Sequence, residues 1–240
     1  MKKIALCTLF ALSSTAMAFT PTGTSFGLET PGAKYFDTGN AAVDHDLVNN
    51  TGQSPVDSTA AGAGELGYDA LYFNTRGATA SGLVDGDFVG VTGFTGDVGF
   101  YTDGVQGYQF QDPDGRMDLV FDQVNTSGIP LVTVSLDYFL VEDNWESDDI
   151  VLIKVETDLG TTDLLNTTGL DVDDLSIEGA WTTLSVTIPG NWVQLTVSLD
   201  SNAAAEALYI DNVSIVPEPA TMVLLGLGSL ALAGRRRMAK

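Results

Sequence analysis

Thiol and imidazole side chains are almost absent from this sequence of 240 residues. Its one cysteine is Cys7 and its one histidine is His45. The chain after Cys7 therefore has no disulfide, no thiolate metal site and no cysteine nucleophile. Zinc sites normally combine several His or Cys ligands, and a Ser-His-Asp triad would depend on His45 alone. The sequence disfavours both.

Basic residues are also scarce in the body of the chain. Residues 19–216 contain four of them, Lys34, Arg76, Arg116 and Lys154, against 31 acidic residues, and therefore carry a net charge of −27. Nucleic-acid binding requires Lys and Arg to replace phosphate counterions, and anionic lipid attracts basic segments, so neither is an expected partner. The acidic surface fits solubility through self-repulsion, or the binding of divalent cations in turns rich in Asp and Gly.

A sustained helical period is missing as well, and period-two alternation dominates from the middle of the chain onward. The alternating segments read RMDLVFD, LVTVSLDYFL, DIVLIKVET, TLSVTI and VQLTVSLD. Turns rich in Asp, Pro and Gly separate them. Short alternating strands at this spacing predict an all-β fold, a single antiparallel β-sandwich that occupies residues 19–216.

The amino terminus has the layout of a secretory signal peptide. Two lysines precede a short apolar run, and residues 16–18 read Ala-Met-Ala. Small residues at these positions mark a cleavage site, which we expect between Ala18 and Phe19. Residues 1–18 are therefore predicted to direct export and to be removed.

Two stretches of the body resemble jelly rolls of the carbohydrate-binding-module type, the galactose-binding-domain-like superfamily. They are SFGLET near the start and EALYIDNVSI near the end. The resemblance implies a jelly-roll sandwich in which Glu29 and Asp211 hold a structural calcium ion, since calcium takes six to eight oxygen ligands. The alternative is a solvated edge-strand Glu and a solvated turn Asp. Segments along nearly the whole body also resemble a bacterial extracellular jelly-roll module, which implies one domain without naming an activity.

The carboxyl terminus, residues 217–240, joins Pro217-Glu218-Pro219 to an apolar run at 220–234 and to Arg235-Arg236-Arg237. These parts resemble the PEP-CTERM sorting signal, in which the membrane enzyme exosortase recognises the triplet and releases the protein for surface display. The resemblance implies an exosortase-type partner, with the arginines on the cytoplasmic side. An apolar run of 15 residues spans roughly 22 Å, against a hydrocarbon core of about 30 Å. We therefore expect a short transmembrane segment that holds the protein transiently before processing.

Tryptophans are the best candidates for ligand contacts. Trp145 stands in the acidic segment EDNWESDD, and we expect it to be exposed and to stack on sugar rings while Asn144 bonds their hydroxyls. Trp181 leads directly into an alternating segment and is expected to be buried. A carboxylate pair for glycoside hydrolysis cannot be singled out among 31 acidic residues.

These observations together predict a non-catalytic protein of the cell surface or extracellular matrix that contacts polysaccharide and uses calcium as its only cofactor. Two alternatives stay open. The first is a structural surface protein that binds other proteins, and the second is a secreted hydrolase that uses carboxylates.

Overall fold

The computed structural model describes residues 22–32, 40–59, 65–77, 83 and 87–218. Strands dominate these residues and form two sheets in which paired strands run antiparallel. The arrangement is a β-sandwich and confirms the all-β prediction. The first sheet contains β1 (Thr22–Thr24), β4 (Phe88–Thr92), β5 (Gly107–Gln111), β8 (Val132–Leu140), β11 (Thr182–Ile188) and β13 (Ala207–Pro217). The second contains β2 (His45–Asp46), β3 (Tyr68–Phe73), β6 (Gly115–Phe121), β7 (Val124–Asn125), β9 (Ile150–Thr157), β10 (Gly160–Asn166) and β12 (Trp192–Ser201).

Strands that are distant in the sequence lie side by side in both sheets. The first sheet has the order β11-β8-β13-β5-β4, with β1 also paired to β13. The second has the order β10-β9-β12-β6-β3-β2, with β7 also paired to β12. The carboxyl-terminal strand β13 is therefore central to its sheet, and the chain leaves the sandwich from a strand with neighbours on both sides.

The core lies between the two sheets and follows the period of two. Val151, Ile153 and Val155 of β9 are buried, while the residues between them are partly exposed. Successive side chains of a strand point to opposite faces, so one face of each alternating segment is directed into the core. Each large apolar side chain buried in this way stabilises the fold by roughly 1.5–3 kcal/mol.

Four aromatic residues close one end of this core. The ring centroids of Phe26 and Tyr68 are 5.4 Å apart, and those of Tyr68 and Tyr108 are 5.6 Å apart. Phe121 packs beside both Phe26 and Tyr68. Offset and edge-on pairs of this kind add stability beyond the area that they bury. The segment that follows β1 is thus anchored by Phe26.

A β-bulge interrupts β13 and changes the face on which its side chains lie. Asp211 pairs with Asp137 and Ser214 pairs with Ser135, so two residues of β13 face one residue of β8. Asn212 takes the left-handed conformation with φ of 50°, which Asn tolerates better than most residues. Because the bulge shifts the alternation, Ile210 and Val213 both point into the main core.

The opposite face of β13 carries a second hydrophobic cluster. It contains Val98, Tyr101, Phe139, Ala207 and Tyr209, with Trp181 packed against it. The loop of residues 93–106, which joins β4 to β5, supplies Val98 and Tyr101 and covers this outer face. Trp181 is partly rather than fully buried, because its ring lies at the edge of this cluster.

Both predicted processing segments lie largely outside the described residues. These are the signal peptide with the Ala18–Phe19 junction, and the tail from Pro219 through Arg235, Arg236 and Arg237, which includes the apolar run at 220–234. Within the part of the chain that the structure describes, no helix is long and apolar enough to cross a membrane.

Candidate functional site

Arg76 is the centre of a network of charges at one end of the sandwich, in which Asp149 and Asp200 are buried and Asp148 is exposed. It follows β3, and its guanidinium donates to Asp200 at 2.7 Å, to Asp149 at 2.8 Å and to Asp148 at 2.8 Å. The Arg76 side chain is only 12% exposed, and that of Asp149 is fully buried. A buried carboxylate is tolerated when it is paired and hydrogen-bonded. Arg76 therefore joins the end of β12 to the segment that precedes β9.

Next to this network, Glu146, Asp149 and Glu206 form what we call the acidic triad. One carboxylate oxygen from each lies within 4.8 Å of the other two. Glu146 and Asp149 come from the loop before β9, and Glu206 immediately precedes β13. Asp149 and Glu206 are fully buried, whereas Glu146 is exposed. The triad thus has a closed inner side and one ligand group in contact with solvent.

The hydrogen bonds of the triad are uneven. The backbone N–H of Glu146 donates to Asp149 Oδ2 at 2.6 Å, and the backbone N–H of Ala203 donates to Glu206 Oε2 at 3.3 Å. The second oxygen of Glu206, Oε1, is buried and accepts no hydrogen bond from the described residues when all three carboxyl groups are ionised. The carboxyl groups of Glu146 and Asp149 lie close enough to share a proton with Glu206. A buried oxygen without a donor is costly, so this atom is the feature of the site that most needs an explanation.

Burial and mutual repulsion govern the electrostatics of the triad. Burial raises the pKa of Glu206 well above its usual range, and the adjacent carboxylates of Glu146 and Asp149 raise it further. Burial also raises the pKa of Asp149, although Arg76 opposes that change. The triad therefore favours species that reduce its negative charge, which are a proton or a cation.

The two carboxylates predicted to hold calcium have separate partners. Asp211 lies on the outer face of β13, where it accepts hydrogen bonds from the Thr102 hydroxyl at 3.0 Å and from the Asp103 N–H at 2.8 Å. Glu29 instead lies close enough to Tyr68 that, after burial, its charge raises the pKa of that hydroxyl. Within the described residues the two carboxylates share no hydrogen-bond partner. Glu29 Oε2 is a buried oxygen with no hydrogen-bond partner among the described residues. The Glu29–Asp211 calcium site stays a prediction.

The expected sugar contact at Trp145 is wrong because this side chain is only 2% exposed. Its ring belongs to the main core, and its indole N–H donates to the Val141 carbonyl at 3.0 Å. The acidic neighbours suggested exposure, and Asn144 is indeed exposed. The Trp145 ring itself, however, turns inward, and burial of its large apolar surface outweighs the polarity of the segment. Asn144 alone does not form the predicted stacking site.

The spacing G-x-S-x-G occurs at Gly23–Gly27, yet its structure differs from a nucleophile elbow. Such an elbow places its serine on a sharp turn between a strand and a helix. Here β1 leads into a bend at Phe26 with φ of 56° and then into a turn. Ser25 thus lacks the geometry that activates a serine of this class.

The beginning of the predicted sorting triplet is part of the folded sandwich. Pro217 ends β13 and pairs with Val132 of β8. The Glu218 N–H donates to the Leu131 carbonyl at 3.0 Å. Glu218 Oε1 accepts hydrogen bonds from the hydroxyls of Thr187, at 3.2 Å, and Thr133. The folded sandwich therefore includes the first two residues of the predicted tail, Pro217 and Glu218.

Sequence reasoning did not find the network of Arg76 or the acidic triad. A signal was present, because each of the four basic residues in a body with 31 acidic residues is expected to attract several carboxylates. The partners of Arg76 and the members of the triad could not be derived, since Arg76, Asp149 and Glu206 are separated by long stretches of chain.

Comparison with known proteins identifies the tail. Residues 216–237 match the PEP-CTERM protein-sorting motif. No curated protein matches the chain.

Solved structures resemble the sandwich at low identity. TmCBM61, solved in complex with β-1,4-galactotriose, is 16% identical, with 54% of this chain and 82% of that chain covered and a TM-score of 0.36. A family 16 carbohydrate-binding module is 12% identical, with 53% and 84% covered and a TM-score of 0.34. The K2 cleaved adhesin domain of Lys-gingipain is 12% identical, with 72% and 99% covered and a TM-score of 0.37.

Proposed function

We propose that this chain is an exported, surface-sorted protein whose β-sandwich is a non-catalytic module of the extracellular matrix that contacts polysaccharide. The observation that carries the proposal is the sorting motif at 216–237, whose first residues are the last residues of β13. A domain that runs directly into a sorting signal is displayed wherever that signal delivers it. An exosortase-type enzyme and a transient membrane stage at residues 220–234 belong to the same proposal.

The loop of residues 93–106 offers the best support for a polysaccharide contact. Phe94 is 53% exposed and Phe100 is 64% exposed. The Phe94 carbonyl accepts a hydrogen bond from the Tyr101 hydroxyl, and the Phe100 carbonyl accepts one from the Trp181 indole, both at 2.7 Å. Two exposed rings on a backbone held in this way are preorganised for stacking on sugar rings, which lowers the entropic cost of binding.

Burial of the acidic triad supports a module rather than a hydrolase. Glycoside hydrolysis requires two carboxyl groups that flank the same glycosidic bond. Within the triad only Glu146 is exposed, and Glu206 and Asp149 are closed off from any polymer. The triad is therefore better suited to a structural role than to catalysis.

A pull-down on the host's own extracellular polysaccharide tests this proposal. We expect the double variant Phe94→Ala/Phe100→Ala to bind about 30-fold more weakly than the natural protein, because two lost stacking contacts of about 1 kcal/mol each total about 2 kcal/mol. Leu159→Ala is the matched control, since Leu159 is an apolar residue between β9 and β10 that is 70% exposed.

Three results would redirect the proposal. Equal binding by the double variant and the natural protein would exclude the loop of residues 93–106 as the contact. Retention on a host surface protein with no retention on polysaccharide would favour the structural alternative. Release of sugar from any glycan would establish a hydrolase.

A further inference from the structure

We propose that the acidic triad, Glu146, Asp149 and Glu206, binds one calcium ion that joins the loop before β9 to the start of β13. This site is separate from the Glu29–Asp211 pair that the sequence suggests. Its three carboxylates converge within 4.8 Å. In addition, the fully buried Glu206 has an oxygen, Oε1, that accepts no hydrogen bond from the described residues when the three carboxyl groups are ionised. Its carboxyl group lies within hydrogen-bonding reach of those of Glu146 and Asp149.

Charge balance supports a cation at this position. Arg76 forms its ion pairs with Asp148, Asp149 and Asp200. Among the ion pairs that the described residues form, none reaches Glu146 or Glu206. The network around Arg76 therefore leaves an excess of negative charge at the triad, and an ion is attracted strongly where solvent screening is reduced.

The type of donor selects the class of metal. All three ligand groups are carboxylates, which are hard oxygen donors and suit calcium, magnesium or manganese rather than zinc or copper. Three carboxylates that each bind through one or two oxygens supply about three to six of the six to eight oxygens that calcium takes. The exposed side at Glu146 leaves room for water ligands. Magnesium would require a nearly ideal octahedron, which an uneven set of buried and exposed carboxylates does not favour.

The position of the site indicates what the ion would stabilise. Glu146 directly follows the buried Trp145, and Asp149 directly precedes β9. The backbone carbonyl of Glu206 accepts a hydrogen bond from the Asp112 N–H at 3.3 Å. One ion at the triad would thus connect the loop that carries Trp145 to the residues directly before β9 and β13.

Thermal melting of the full-length purified protein at neutral pH tests the site. We expect millimolar calcium to raise Tm by about 3–8 °C over the protein in excess chelator, because an ion that binds only the native state stabilises it. Magnesium is expected to have a smaller effect. Glu206→Gln, which preserves shape, and Glu146→Gln, which alters an exposed group, are both expected to lose most of the calcium-dependent rise.

Terbium luminescence gives a readout that does not depend on stability. Excitation of the adjacent Trp145 is expected to sensitise emission from terbium at the triad, and calcium is expected to displace it. The signal is expected to be lost in Glu206→Gln and kept in Asp122→Asn. Asp122 is an exposed carboxylate that follows the far end of β6, so its removal changes the net charge equally without touching the site.

Two outcomes would overturn the proposal. One is a calcium-dependent rise in Tm that is the same in Glu206→Gln as in the natural protein, or that is absent from both. The other is stabilisation on acidification that is lost in Glu206→Gln and is indifferent to calcium. That result would show that the triad holds a shared proton instead of an ion.

Discussion

The Glu218 carboxylate accepts a hydrogen bond from the Thr187 hydroxyl at 3.2 Å. Thr187 lies on β11, and Thr133 on the intervening strand β8 binds the same oxygen. Glu218 is the central residue of the Pro-Glu-Pro triplet, so the folded sandwich holds part of its own sorting signal. An enzyme that reads this glutamate must compete with two hydroxyl groups of the domain.

Release of Glu218 should therefore accelerate tail processing. We expect Thr133→Val/Thr187→Val to be processed faster in the host, because each hydrogen bond that is lost contributes about 1 kcal/mol to the docked form. Pulse labelling followed by mass spectrometry of the mature carboxyl terminus measures the rate. Ser185→Ala, which changes another exposed hydroxyl residue of β11, is the control. Identical rates in all three proteins would show that docking does not limit processing.

Replacement of Trp145 should act through stability. Its ring is buried in the main core and its indole N–H is bonded to Val141, so we expect Trp145→Ala to reduce the free energy of unfolding by about 3–5 kcal/mol. Urea denaturation measures the change. Trp181→Ala should cost less, because Trp181 is partly exposed. A loss below about 1 kcal/mol for Trp145→Ala would contradict its placement in the core.

Removal of Arg76 should destabilise the fold, because its buried carboxylate partners would lose their counter-charge. We expect Arg76→Met to lower the free energy of unfolding by about 3–5 kcal/mol, because Asp149 and Asp200 would stay buried without a counter-charge. Lys154→Met is the matched control, since the paired Lys154 and Glu156 side chains are 28% and 34% exposed and stay in contact with solvent. That change should cost about 1 kcal/mol or less. Chemical denaturation of both variants checks the difference, and equal losses would contradict it.

Asp211 should make the fold less stable as the pH rises from about 4 to about 6. Burial raises its pKa from 3.8 to about 6, against the opposing effect of the N–H donors of Asp103 and Asn212. In this range the native state binds more protons than the unfolded state, so the free energy of unfolding falls as the pH increases. Asp211→Asn should remove that part of the slope. Melting curves between pH 4 and pH 7 measure it, and parallel profiles for the two proteins would refute the assignment.

The sequence was most informative where a structural rule acts over a few residues. Alternation in DIVLIKVET predicted that Val151, Ile153 and Val155 share a face, and they do, because the period of a strand is set by local backbone geometry. The polarity of neighbouring residues was a poor guide at Trp145, which is buried although the segment EDNWESDD around it is acidic and largely exposed. Which way a loop residue turns depends on the space that distant strands leave for it.

Composition and motif by themselves determined that the body is acidic, rich in strands and lacking thiols, and that the chain ends in a sorting signal. These properties are local, and no folding is needed to read them. Only the tertiary structure decided that Glu146 and Glu206 meet, because β13 and the loop before β9 are brought together by strand pairing across long stretches of chain. It also decided that the sorting triplet begins inside β13, where Thr133 and Thr187 bind Glu218. Contacts of this kind depend on sheet order and register, which no short segment encodes alone.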